Sequence, residues 1–213
     1  PSSFNYQAPW KEEYPLIADH FARVNIAMTR GKPDVRVGVV HPIESYWVNW
    51  GVNTQLDGIR SQQDKHFQDM AEWLLFGLVD FDYISESLLS DEPEDCADDK
   101  VMHVGEMGYE AVIVPDCITL RRTTLERLER FRKRGGNVIF MGHIPEYIDA
   151  LESGEAKALA EICTCIPFEK HALLEAVEEY RFLDATLLAR ELPDDYRTFY
   201  RDILSGARIN NLI

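Results

Sequence analysis

Histidine, carboxylate and thiol side chains recur in this chain at one kind of place, directly after short apolar runs. His41-Pro42-Ile43-Glu44-Ser45-Tyr46-Trp47 follows Val35 to Val40, and Ser85-Glu86-Ser87 follows Phe81 to Ile84. Asp116-Cys117 follows Ala111 to Val114, and Gly142-His143 follows Asn137 to Met141. If the runs are strands of one sheet, these residues gather on one rim. A thiol beside an imidazole suits nucleophilic catalysis, in which the base removes the proton of the attacking sulfur. Two carboxylates suit general acid and base work. The candidate rim residues are Glu86, Cys117 and His143, with His41 and Glu44 beside them.

Each chemistry meets an obstacle in the neighbouring residues. A strand-end nucleophile is exposed by a sharp turn flanked by glycines. Cys117 instead follows Pro115-Asp116 and precedes Ile118, which favours a buried structural thiol. Glu44 and Glu86 could serve as a glycosidase pair only with their carboxyl groups about 5 Å or about 6.5–9.5 Å apart, which chain spacing does not fix. Gly-x-Gly-x-x-Gly and the phosphate-binding P-loop pattern are absent, so no nucleotide or flavin cofactor is expected. Cys163-Thr164-Cys165 has no second pair to complete a zinc site, and no metal is expected. Tyr46, Trp47, Asn49 and Trp50 cluster in a glycine-containing loop. Aromatic rings there either act as platforms for a sugar face or a partner, or pack over the sheet end.

Strands must deliver these residues, and helices must cover the strands. The four apolar runs alternate little, the pattern of parallel strands buried on both faces. Helical spacing fills the intervals: Phe67, Met70, Ala71, Leu74 and Leu78 in one, then Leu125, Leu128 and Phe131 in another. Thr123 or Thr124 is the expected N-cap of the latter helix, and Gly135-Gly136 its end. The expected fold is α/β, a three-layer α/β/α sandwich of flavodoxin type with a mainly parallel sheet. Before it, Ile17, Phe21, Val24 and Met28 predict an amphipathic helix, stopped by Gly31-Lys32-Pro33. After it, Glu155 to Ile162 and Lys170 to Tyr180 read as helices, Leu192-Pro193-Asp194-Asp195 as a turn or helix start, and Ile209 to Ile213 as a strand-like apolar end. The organisation is therefore a helical lead-in over 1–33, an α/β domain over 34–150 and a helical extension over 151–213, in a chain that reads as a fragment.

Composition narrows the function classes. Among 213 residues, 22 Lys and Arg stand against 37 Asp and Glu, a net charge of −15 that excludes a general nucleic-acid binder. With 46% hydrophobic residues the chain can bury a full core. No apolar run approaches the ~20 residues of a membrane span. Four cysteines are too few for a disulfide framework and fit a reducing compartment, so a cytoplasmic location is expected. The charge is uneven. Asp91 to Asp99 holds six acids and reads as a solvated loop, while Arg121 to Arg134 holds seven bases and two acids. The basic segment is either a solvated helix face or a contact for an acidic surface, and the two patches could meet across a subunit interface.

Four segments together carry a resemblance: Val35 to Trp47 (VRVGVVHPIESYW), Glu72 to Leu89, Tyr109 to Thr119 (YEAVIVPDCIT) and Leu125 to Met141. They resemble the amidotransferase-like domain that follows the catalytic barrel in large bacterial glycoside hydrolases, and are similar to the trimerisation domain of family 42 β-galactosidases. The stretch Tyr6 to Trp10 and the helix through Asp19 to Arg23 resemble the exit from such a barrel. The resemblance implies a class I glutamine amidotransferase-like fold without that chemistry. It implies no catalytic residue in this chain, a catalytic barrel as partner, homo-oligomerisation, and one wall of a carbohydrate site, for which His41, Glu44, Trp47 and Trp50 are the candidates. A barrel takes about 250 residues and would lie outside this sequence. The competing expectation is a self-contained amidotransferase-like or hydrolytic enzyme using Cys117 and His143.

Overall fold

The computed structural model describes residues 8–31, 33–51, 57–89 and 100–181. The chain divides into two units, Pro1–Asp34 and Val35–Ile213. In the first, a 3-10 turn over Lys11–Glu13 leads into α1 (Tyr14–Met28), with Leu16, Ile17, Phe21 and Ile26 exposed. The second begins with β1 (Val37–Val40), α2 (Ile43–Val48), α3 (Asp57–Phe76) and β2 (Phe81–Ile84). A hairpin of β3 (Met102–Val104) and β4 (Met107–Tyr109) precedes β5 (Ala111–Val114), β6 (Thr119–Leu120), α4 (Arg122–Lys133) and β7 (Asn137–Met141). A second hairpin, β8 (Tyr147–Ile148) and β9 (Leu151–Glu152), is followed by α5 (Glu155–Ala160), β10 (Thr164–Ile166) and α6 (Lys170–Ala176).

Five strands form one parallel sheet in the order β10-β7-β5-β1-β2. Numbered along the chain, that order is 2-1-3-4-5, a doubly wound arrangement whose direction of winding reverses between β1 and β5. Side-chain alternation divides the strands between two cores. Val37, Val39, Ala111, Ile113, Ile139 and Met141 pack with Met70 and Leu74 of α3 and Leu173 of α6. Val40, Val112, Val114, Val138 and Phe140 pack with Leu125, Leu128 and Phe131 of α4 and with Ala156 and Leu159 of α5. Helices therefore cover both faces, giving the three-layer sandwich. Burial of each large side chain contributes roughly 1.5–3 kcal/mol, so the strand runs are continuous in apolar character because both cores draw on them.

The sheet domain extends past the boundary expected at residue 150. β10 pairs with β7 in register Thr164↔Ile139, Cys165↔Phe140 and Ile166↔Met141. Leu159, Leu173 and Val177 are buried in the same two cores, so α5, β10 and α6 complete the domain and are no separate helical extension. The short, largely exposed edge strand β10 offers no apolar run to read. The Cys163-Thr164-Cys165 pair lies along this edge, where Cys165 Sγ donates to the Ala160 carbonyl at 3.3 Å.

α4 differs from expectation at its start and agrees at its end. Neither Thr123 nor Thr124 is the N-cap; Arg121 is, in extended conformation and without a side-chain cap bond. Carboxylates distant in sequence replace it: Glu86 accepts the Arg121 N–H at 2.8 Å and Asp149 the Arg122 N–H at 3.1 Å. Both acids meet the positive end of the helix dipole. At the other end Gly135, at φ +92°, donates to Arg132 and Gly136 donates to Phe131, which is a Schellman closure. Three bases of this helix bind within the domain. Arg122 pairs with Glu155, Arg127 donates to the Leu89 and His103 carbonyls, and Arg132 donates to the Ile162 carbonyl. The acidic run 91–99, the turn or helix start expected at 192–195 and the apolar end 209–213 lie outside the described residues. Among the described residues no helix is long and apolar enough to cross a membrane.

Candidate functional site

In a doubly wound sheet the loops beyond the carboxyl ends separate where the winding reverses, and ligands bind there. Here that point lies between β1 and β5, and a cleft of about 170 Å³ occupies it. His41 and Pro42 leave β1, Pro115 and Asp116 leave β5, and Phe168 follows β10. The fourth side is α3. The helical face that buries Met70 and Leu74 on the sheet continues toward the N-terminus as Phe67, His66 and Gln63, which overhang the strand ends.

The polar centre of the cleft is a fixed pair. His66 Nδ1 lies 2.5 Å from Asp116 Oδ2. A carboxylate only accepts, so Nδ1 carries the proton and donates. The other Asp116 oxygen accepts the His143 backbone N–H at 3.1 Å, and the His66 ring stacks on Phe168 at 4.0 Å between centroids. Gly142 permits this convergence: its φ is +81°, and a Cβ there would stand 3.2 Å from Asp116 Cβ and 3.3 Å from Phe168 Cβ. His41 lies edge-on to Phe67 and Tyr83 at 5.3 and 5.7 Å. Burial lowers its pKa from 6.5, so the neutral imidazole is favoured.

Ser45 holds α2 over this region. Its buried hydroxyl accepts the Ile118 and Thr119 N–H groups at 2.9 and 3.1 Å, tying α2 to the segment after β5. Different faces of α2 then serve different sites. Ile43 and Tyr46 line the cleft, while Glu44 and Trp47 line a second groove of about 360 Å³ with Arg121 and Asp149. There Glu44 pairs with Arg121 Nε, and the Trp47 side chain is 59% exposed. Asp149 and Ala150 form the β8–β9 turn with φ of 51° and 60°, the left-handed pair that a two-residue hairpin demands. Asp149 N–H donates to the Leu120 carbonyl at 2.9 Å and Ala150 N–H to the Thr119 hydroxyl at 3.2 Å, which holds Asp149 at the groove.

The residues expected from sequence are therefore dispersed. His41 lies in the cleft, and Glu44 and Trp47 lie in the groove. Trp50 stands apart, packed against Tyr46 and under the Arg60 guanidinium at 5.1 Å. Cys117 is 2% exposed in the core, and burial, then the Glu86 and Asp116 charges, push its thiol well above the ordinary range. That is opposite to what a nucleophilic cysteine needs. The His143 imidazole lies beside Glu146 at 3.9 Å and is half exposed; its backbone, and not its ring, serves the cleft. Glu86 is 3% exposed and acts as a helix cap beneath the surface. Burial raises its pKa, with Glu44 adding to the rise. Among the described residues no three His, Cys, Asp or Glu side chains group as a metal site.

His66, Phe168 and Arg121 are the participants that sequence reading passed over. His66 had a usable signal, since it lies one residue before Phe67 and four before Met70 on the apolar face of α3. Comparison with protein-family models, with curated proteins and with solved structures gave no significant match to this chain.

Proposed function

We propose that this chain is a non-catalytic accessory domain of a carbohydrate-active, β-galactosidase-like glycoside hydrolase, and that the groove beside α2 forms one wall of its sugar site. The observation that carries the reading is the exposed Trp47 indole next to the Glu44–Arg121 pair and Asp149. A flat aromatic face takes the C–H side of a sugar ring. Carboxylate and guanidinium groups at its edge suit hydroxyl groups as acceptors and donors. In this reading the catalytic carboxylates belong to another domain, and the chain associates with that domain and with further copies of itself. The competing reading, an enzyme built on Cys117 and His143, has no geometric support, because the thiol is buried and the imidazole faces Glu146.

The test is a titration of the protein with galactose, lactose and rhamnose, followed by Trp47 fluorescence against a Trp47→Phe control. We expect a saturable change with Kd of order 1–10 mM, as suits one wall of a site, and its loss in Trp47→Ala and Glu44→Ala. Absence of any Trp47-dependent change with all three sugars would remove the reading. Stoichiometric alkylation of Cys117 at neutral pH, lost in His143→Ala, would replace it with the enzymatic alternative.

A further inference from the structure

The cleft between β1 and β5 is built more completely than a wall for a sugar needs. Its volume of about 170 Å³ is close to the roughly 150 Å³ of an apolar cavity that accepts one benzene ring. Its apolar lining comes from four separate segments: Pro42 and Ile43, Phe67, Pro115, and Phe168. Its polar centre presents a defined acceptor. With Nδ1 donating to Asp116, Nε2 is the acceptor nitrogen of that tautomer, and among the described residues no hydrogen bond to it is found. Asp116 has both oxygens engaged, by His66 and by the His143 N–H. Among the described residues no lysine or arginine lines the cleft, and Asp64 stands exposed at its margin. A bound anion would therefore meet carboxylates and no countercharge.

From this size, lining and charge we infer that the cleft is a binding site for a neutral, single-ring ligand of the phenol class, its hydroxyl donating to His66 Nε2. Phe67 and Phe168 supply the ring contacts, and Asp116 acts as a positioning residue that fixes the imidazole tautomer. The site uses a different face of α2 from the Trp47 groove and does not depend on the carbohydrate reading.

Phenol, toluene and benzoate distinguish the parts of this proposal. The whole chain, uniformly labelled with ¹⁵N, is titrated with each, and amide shifts of His66, Phe67, Asp116 and Phe168 are followed. We expect phenol to bind about tenfold more tightly than toluene, the value of one hydrogen bond to a fixed acceptor, and benzoate to leave these resonances unmoved. His66→Phe keeps a ring against Phe168 and removes the acceptor, so phenol should fall to within about twofold of toluene. Phe168→Trp fills the cleft and should abolish binding of both. Equal affinity for phenol and toluene, binding of benzoate at the same residues, or no shift with any ligand would each overturn the inference. Should His66→Phe fail to fold, the three-ligand comparison on the unaltered chain still decides the matter.

Discussion

Two acids show how residue surroundings assign different roles to one functional group. Asp116 is divided between a ring nitrogen and a backbone N–H and serves the cleft. Glu86 has one oxygen on the Arg121 N–H, while its Oε1 and the neighbouring Thr124 hydroxyl are buried without a well-formed bond. Burial raises the Glu86 pKa from 4.5, so the native state holds this proton more readily than the unfolded chain. Stability contributed here falls as pH rises from 4.5 through the raised value, and the cost persists at neutrality. Glu86→Gln keeps the acceptor for Arg121, deletes the charge and gives Thr124 a partner. It should match the unaltered protein near pH 4 and exceed it by about 1 kcal/mol at pH 7, read from urea unfolding at the two pH values. A Glu86→Gln variant less stable at both would show that the charge itself is needed at the start of α4.

At the scale of elements, the same substitution should have opposite signs in a turn and in a helix. A Cβ at Gly136 would overlap the buried Phe131 ring, so Gly136→Ala should cost roughly 1–3 kcal/mol by overpacking the α4–β7 turn. Gly58, in the first turn of α3, has open space among the described residues where an alanine methyl would stand, and no positive φ. Gly58→Ala should therefore stabilise by about 0.5–1 kcal/mol through the entropy of the unfolded chain. Thermal unfolding of both variants checks the pair. The ends of α4 differ in how openly they are written. Gly135-Gly136 is a local signal, because a Schellman closure is satisfied within six residues. Its start is capped by Glu86 and Asp149, 35 and 27 residues from the amides they accept, and nothing adjacent to Arg121 announces them.

For the whole molecule, the decisive element is the short edge strand β10. It extends the sheet beside β7, and α6 returns Leu173 and Val177 to the core over Ile139 and Met141. A chain ended at Ala150 loses these together with Leu159, and should show no cooperative thermal transition while binding a hydrophobic dye. A transition matching that of the full chain would restore the domain boundary at residue 150. The basic helix α4 belongs to the same scale. Arg122, Arg127 and Arg132 close contacts to carbonyls and a carboxylate of neighbouring segments, joints that hold the domain together.

Local pattern was enough for the strands β1, β2, β5 and β7, for the helices α3 and α4 and for the α/β class, because burial on two faces forces apolar runs and helical spacing onto the chain; it does not reveal α2, since Tyr46 and Trp47 sit in a segment that reads as a loop. It also marked the strand ends, where the cleft lies, and named His41, Glu44 and Trp47, which line the cleft and the groove beside α2. Pairing distances were beyond it. The placement of Cys117 in the core, the division of Glu44 and Trp47 from His41 by the faces of α2, and the meeting of His66 with Asp116 across 50 residues are set by how helices seat on the sheet. A sequence encodes period and capping over one or two turns, whereas contact between distant segments depends on crossover handedness and side-chain volume across the assembled core.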